Sequence, residues 1–231
     1  MSGAWVAPSF LGVPAKKLEN FLLALEYGGA NLIHVDLGDS CFIEENSDWS
    51  IFDRLAETVK GIPLDFHLMV DNLGEWLDFF IGDVLPKLSR EPYLTIHQEA
   101  AEFSPDLIEN LKPAKVKLGL AIKPETPVSA ISQYLRHLAL VNVMTVVPGK
   151  SNQQMIAGCL AKATELIQLR DRYRYRFKIQ FDGGVKQETA QAAVNAGGQI
   201  LVCGGYLQSA TEDSEEMRRR ILWLQNLKKD S

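Results

Sequence analysis

Leu32-Ile33-His34-Val35-Asp36 decides how this chain is read. It is a short apolar run that ends in a histidine and an aspartate two residues apart. Side chains along an extended strand alternate with a period of two, so His34 and Asp36 project from one face. Two further strand-like runs end in the same way: Leu64-Asp65-Phe66-His67 in a histidine, and Lys178-Ile179-Gln180-Phe181-Asp182 in an aspartate. Two imidazoles and two carboxylates at the C-terminal tips of three strands converge only if the strands are parallel and open onto one mouth. That is the geometry of a metal site at the top of an α/β barrel.

Working outward, eight apolar runs carry the strand signal: Trp5–Ser9, Leu32–Asp36, Leu64–Met69, Tyr93–His97, Lys117–Ile122, Val141–Thr145, Phe177–Asp182 and Ile200–Gly204. Each is followed by a helical pattern, and strands alternating with helices imply βαβ units and a parallel sheet. Eight units in 231 residues point to a (β/α)8 TIM barrel; an open, flavodoxin-like sheet would need fewer strands. No Gly/Ser-rich or Pro-rich linker divides the chain, so residues 1–231 are expected to form one domain. Helices are expected over Ala15–Tyr27, Pro127–His137, Met155–Arg172, Glu188–Asn195 and Ser214–Lys229, with Gly28-Gly29 as a stop signal for the first. The Arg218-Arg219-Arg220 run reads as a solvated helix face.

Polar and soft side chains at strand tips face the barrel mouth: Ser9, His34, Asp36, His67, Met69, His97, Met144 and Asp182. A single histidine there is ordinarily a hydrogen-bonded structural group, and a single aspartate ordinarily caps the next helix. Recurrence on several strands favours a metal. His34, Asp36, His67 and Asp182 would hold one divalent ion per subunit, and their ligand type suits Zn²⁺, Fe²⁺, Mn²⁺ or Co²⁺. Gly183-Gly184 follows the seventh strand and Gly204-Gly205 the eighth. Glycine lets the backbone approach an anion closely, and phosphate sites recur after these two strands of barrels, so a sugar phosphate is the expected ligand.

The bulk numbers agree with a small-molecule enzyme. The chain is 46% hydrophobic with a net charge of −5, and it has no basic stripe for nucleic acid. No apolar run approaches the roughly 20 residues of a membrane span, and the N-terminal residues lack a signal-peptide pattern. Cys41, Cys159 and Cys203 are few, odd in number and far apart, as in a reducing compartment; a cytoplasmic location is expected.

Seven stretches carry a resemblance to a known family: Ala7-Pro8-Ser9, Ile33-His34-Val35-Asp36, Asp65-Phe66-His67-Leu68-Met69-Val70, Thr95-Ile96-His97-Gln98-Glu99-Ala100, Lys123-Pro124-Glu125-Thr126-Pro127, Val143-Met144-Thr145-Val146-Val147-Pro148-Gly149 and Asp182-Gly183-Gly184-Val185. Together they resemble the ribulose-phosphate 3-epimerases over nearly the whole chain. The resemblance implies a phosphate-binding barrel that epimerises C3 of a ketopentose phosphate through a metal-stabilised enediolate. It implies that His34, Asp36, His67 and Asp182 hold the metal and that Asp36 and Asp182 are the acid/base pair. Ser9 would position the substrate, and Met69 and Met144 would crowd the reacting carbon. With His67, Gly149, Gln153 and the two glycine pairs, these residues make up the expected substrate-binding set. A homo-oligomer is also implied.

The chemistry of the residues supports the same roles. Inversion at carbon needs proton removal on one face and delivery on the other, which two carboxylates on separate strands can supply. A divalent ion polarises the neighbouring oxygens. Methionine packs softly and keeps water out without adding a competing acid.

Departures from the family pattern fall in the loops. Gly38-Asp39-Ser40 and Phe42-Ile43-Glu44-Glu45-Asn46 replace a Met-Asp-Gly turn and a Phe-Val-Pro-Asn-like stretch, with loss of one methionine. Pro148-Gly149-Lys150-Ser151-Asn152-Gln153 replaces a glycine-rich loop, and Gly204-Gly205 stands where Gly-Ser is usual. The metal and acid/base set is complete while the substrate-facing loops differ. Three readings follow: a 3-epimerase of D-ribulose 5-phosphate, the same chemistry on another ketose phosphate such as a hexulose phosphate, or a barrel that binds without turnover. Related barrel decarboxylases and synthases would need a catalytic lysine at the mouth, which these strand tips do not offer.

Overall fold

Val6, Ile33, Val35, Phe66, Ile96, Leu120, Val143, Ile179 and Leu201 are all fully buried, and each lies in a run of β-favouring residues. In the computed structural model, which describes residues 3–39, 51–149 and 153–230, these runs form eight strands. They are β1 (Trp5–Pro8), β2 (Ile33–Gly38), β3 (Leu64–Met69), β4 (Tyr93–His97), β5 (Lys117–Ile122), β6 (Leu140–Met144), β7 (Lys178–Asp182) and β8 (Ile200–Cys203). All ladders are parallel, in the order β1-β8-β7-β6-β5-β4-β3-β2. The ring closes between β1 and β2 through a Ser9–His34 bridge and a hydrogen bond from Leu32 N to Val6 O at 3.3 Å. The architecture is the expected (β/α)8 TIM barrel.

The helices are α1 (Leu18–Gly28), α2 (Ile51–Thr58), α3 (Leu73–Phe79), α4 (Pro105–Leu111), α5 (Ala161–Tyr173), α6 (Gln187–Ala196), α7 (Gly205–Gln208) and α8 (Ser214–Gln225). Their apolar stripes close an outer core against the barrel, where Phe66 meets Phe80 edge to face at 4.9 Å. Each such side chain contributes about 2–3 kcal/mol of burial. A separate inner cluster of Ala7, Leu32, Tyr93, Leu140, Ile200 and Val202 runs from the floor of the barrel up one side, where Val202 reaches the level of Asp182. Polar residues can be buried above that floor only with partners, and this constraint builds the site.

Three expectations about helices are corrected. Pro127–His137 is not an α-helix but two 3₁₀ turns, Val128–Ile131 and Leu135–His137. The buried residues Val128, Ile131 and Tyr134 recur every third position, a spacing that an i→i+3 turn satisfies as well as an α-helix does. The helix expected from Met155 starts as α5 at Ala161, after a 3₁₀ turn over Ala157–Leu160. The Ile156 N–H is instead committed to Thr145 O at 2.7 Å, which holds that segment against β6. The last helix stops at Gln225 rather than running on to Lys229, because Lys228 O and Asp230 N are bonded to Gln191 and Asn195 of α6.

The arginine run is also not wholly solvated. Arg220 is half-buried and bonds Glu216 Oε1 and Ser209 Oγ, each at 2.6 Å, and Tyr206 O, so it ties α8 to α7.

Candidate metal centre

Strand register brings the predicted residues together. In the β2–β3 ladder His34 pairs with Asp65 and Asp36 with His67. In the β6–β7 ladder Asn142 pairs with Gln180 and Met144 with Asp182. Each strand places residues two apart on the inner face, so two polar layers stack above the apolar floor.

The upper layer gathers the four expected ligands. Their ligand atoms lie within 4.8 Å of one another. His34 Nε2 is 3.1 Å from Asp36 Oδ1 and 3.4 Å from Asp182 Oδ2. His67 Nδ1 repeats the same two distances to the same two oxygens. Atoms about 2.0–2.2 Å from a common ion sit at separations of this size.

Hydrogen-bond chemistry shows that the residues fit a cation. Asp65 accepts from Gln180 Nε2 at 2.9 Å and from Thr95 Oγ1 at 3.4 Å, and it faces His34 Nδ1 at 2.7 Å. With Nδ1 donating to Asp65, the His34 ring turns a lone pair on Nε2 toward two carboxylate oxygens. A set of mutually facing acceptors, excluded from water, is stable only around positive charge. Without a cation between them, the same carboxylates draw the positive charge onto the imidazoles as protons. Burial opposes charge on His34, but Asp36, Asp65 and Asp182 outweigh it and hold its pKa well above the usual imidazole range. Burial likewise pushes Asp36 and Asp182 up, and His34 and His67 more than reverse it, so both carboxyls sit far below the usual carboxylate range.

The two carboxylates differ at their second oxygens. Asp36 Oδ2 accepts from Ser9 Oγ at 2.7 Å. Asp182 Oδ2 takes Asn142 Nδ2 at 3.1 Å in addition to facing both imidazoles, which leaves Oδ1 without a protein hydrogen bond among the described residues. Thr145 Oγ1 bonds Asp182 O at 3.0 Å and Gly183 O at 2.5 Å, so the turn after β7 is fixed from below.

Above this cluster opens a cavity of about 490 Å³. Asp36 and Asp182 form part of its floor, and Ser9, Met69, Met144, Gly149, Gln153, Gly183, Gly184, Gly204 and Gly205 all line it. His34 and His67 lie beneath, fully buried, and do not reach its wall. Gly183 and Gly184 have φ of 117° and 64°, and a Cβ on Gly184 would stand 2.4 Å from Met155 N, so only glycine fits this turn. Lys150, Ser151, Asn152 and the 40–46 stretch with Cys41 lie outside the described residues. Cys159 and Cys203 are free and buried.

Sequence reasoning missed Asp65, Gln180, Asn142, Glu99 and the cavity-lining Lys186. The signal for the first three was the same period of two, because each stands two residues before a mouth residue. His97, expected at the mouth, stacks behind His67 at 4.9 Å between ring centres and does not face the cavity.

No described helix is long and apolar enough to cross a membrane. Among solved structures, a tryptophan synthase of Mycobacterium tuberculosis superposes with a TM-score of 0.71 at 13% identity, covering 100% of this chain and 94% of that one. The tryptophan synthase α-subunit of Pyrococcus furiosus gives 0.69 at 15%, covering 97% and 99%. At such identities the likeness speaks for the barrel alone. Sequence relatives say more. The ribulose-phosphate 3-epimerase of Treponema pallidum is 35% identical over 206 residues, 89% of this chain and 92% of the relative. That of Bacillus subtilis is 32% identical over 200 residues, 86% and 89%. The profile of the Ribulose-phosphate 3 epimerase family matches residues 5–208, β1 through α7, and this chain therefore belongs to that family.

Proposed function

We propose that this chain is a metal-dependent ketose-phosphate 3-epimerase that interconverts D-ribulose 5-phosphate and D-xylulose 5-phosphate. The observation that carries the proposal is the pairing of Asp36 and Asp182. They approach one buried cluster from β2 and β7, on different sides of the mouth, beneath a cavity with glycine turns on its rim.

A divalent cation held by His34, Asp36, His67 and Asp182 would supply the positive charge that acidifies the C–H beside the substrate carbonyl. The chain's own groups do the rest. One aspartate removes the C3 proton from one face and the other returns a proton to the opposite face. Asp182 Oδ1 is the freer oxygen, since the Ser9 hydroxyl must leave Asp36 Oδ2, or share it, when Asp36 takes a proton. Met69 and Met144 give the cavity apolar walls that keep water from the reacting carbon. The phosphate would sit against the Gly183-Gly184 and Gly204-Gly205 backbone, with Lys186 on the same rim adding positive charge.

The test is deuterium exchange at C3 in heavy water, with metal content measured on the same preparation. Asp36→Asn and Asp182→Asn are each expected to slow exchange by roughly 10²–10⁴-fold. Undiminished exchange in both variants rejects the acid/base assignment. A panel that includes a hexulose 6-phosphate checks the substrate, and turnover only on the larger sugar would replace the pentose reading.

A further inference from the structure

His34 and His67 turn different nitrogens toward the cluster, Nε2 and Nδ1 respectively. An imidazole can bind a cation through Nδ1 only if its proton is on Nε2. We infer that His97 and Glu99 are positioning residues that set this tautomer of His67. The inference rests on the metal reading above.

The chain of bonds begins at the surface end. Glu99 Oε1 accepts from Lys123 N at 2.8 Å. Glu99 Oε2 lies 3.0 Å from His97 Nδ1. A carboxylate surrounded by donors accepts only, so His97 carries its proton on Nδ1. Its Nε2 is then a bare lone pair, 2.9 Å from His67 Nε2. One of two nitrogens at that distance must donate, so His67 Nε2 carries the proton. With a cation in the cluster, the lone pair of His67 is then left on Nδ1, the nitrogen that lies 3.1 Å from Asp36 Oδ1 and 3.4 Å from Asp182 Oδ2. Both imidazoles are fully buried, so water does not compete for these bonds. Lys162 Nζ braces the far end by donating to Lys123 O and Thr126 O, each at 2.7 Å.

Glu99→Gln reverses the relay without changing its shape. The amide oxygen is needed by the Lys123 N–H, so the amide NH₂ faces His97 Nδ1. His97 then holds its proton on Nε2 and donates it to His67 Nε2, which turns an N–H of His67 into the metal cluster. Zinc affinity by chelator competition is expected to fall about 10-fold or more. Nitrogen-15 NMR of the imidazoles reads the cause. In wild type His97 is protonated on Nδ1 and, in the zinc-loaded chain, His67 on Nε2; in Glu99→Gln the His97 proton moves to Nε2. His97→Gln, whose side-chain oxygen can still accept from His67, is expected to retain more affinity than His97→Leu.

Wild-type affinity in Glu99→Gln with unmoved protons overturns the inference. So does the opposite tautomer of His97 in the wild-type chain, a measurement that needs no variant. Zinc binding with reversed tautomers rejects the relay alone, whereas absence of zinc binding by the wild-type chain rejects the metal reading beneath it.

Discussion

His34 and His67 stand on neighbouring strands and face the same two oxygens, yet they are held from behind by different chemistry. Behind His34 is a single carboxylate, Asp65, itself bonded to Gln180 on β7 and Thr95 on β4. That support lies wholly inside the barrel, and none of its side chains reaches solvent. Behind His67 is a two-residue relay through His97 to Glu99, whose side chain is 19% exposed and whose last partners belong to the turn after β5. One arm is short, anionic and closed. The other is longer, neutral at its inner contact, and ends where the fold meets water. The orientation of a mouth-facing imidazole in a barrel can therefore be fixed by the packed interior or delegated to a loop, and this chain uses both in one cluster.

The comparison ranks the perturbations. Asp65→Asn is expected to do the most damage. One of the asparagine's two terminal atoms must be an NH₂, facing either Thr95 or the His34–Gln180 pair, and the local negative charge is lost. Zinc affinity should fall toward the ~100-fold end of outer-sphere effects, with stability lower by about 1–3 kcal/mol. Chelator competition and urea melts read the two effects. A larger loss from Glu99→Gln than from Asp65→Asn would invert the ranking.

Gly119→Ala probes the packing behind the same interior. A Cβ there would stand 2.4 Å from Thr95 Oγ1 and 3.3 Å from Leu140 Cβ, so a stability loss of about 1–3 kcal/mol is expected. The outer arm should be more forgiving. Lys162→Met removes the brace on the turn after β5 but leaves Glu99 its own donors, and it should cost about 1 kcal/mol or less with zinc affinity nearly unchanged.

The smallest expected effect is a slope. Burial alone would raise the Glu99 pKa, but bonds from His97, Thr126 and the Lys123 N–H outweigh it and depress the value from 4.5 to about 2. A group depressed in the folded state contributes stability that is complete above its unfolded pKa and lost as pH falls through the folded one. Stability of the wild-type chain should therefore decline between pH 4.5 and about 2 partly through Glu99, and Glu99→Gln should decline less steeply. Parallel slopes in urea melts across that window would remove Glu99 from the account.

Much of this was legible along the chain. His34-Val35-Asp36 declares two ligand-type side chains on one strand face because a strand has a period of two, and the same logic marks His67 and Asp182. The supporting residues follow the same alternation, but a buried Asp65 or Gln180 looks like any interior polar residue until its partner is known. That partner lies on another strand: Asp65 is 115 positions from Gln180. His97 was legible as a strand-tip histidine and misread as facing the mouth, since sequence gives the face of a strand but not the depth at which a ring stacks. The 3₁₀ turns after β5 were hidden because a repeat of three fits two kinds of helix.

The sequence by itself determined the eight-unit alternation, the ligand types and the glycine turns, since these depend on local periodicity and on backbone freedom. Only the tertiary structure decided which nitrogen each imidazole turns inward, which carboxylate oxygen has no hydrogen bond among the described residues, and that one histidine is held by the barrel interior and the other by a loop. Those outcomes depend on hydrogen-bond partners brought together by ladder register and barrel closure, and no spacing along a single strand encodes them.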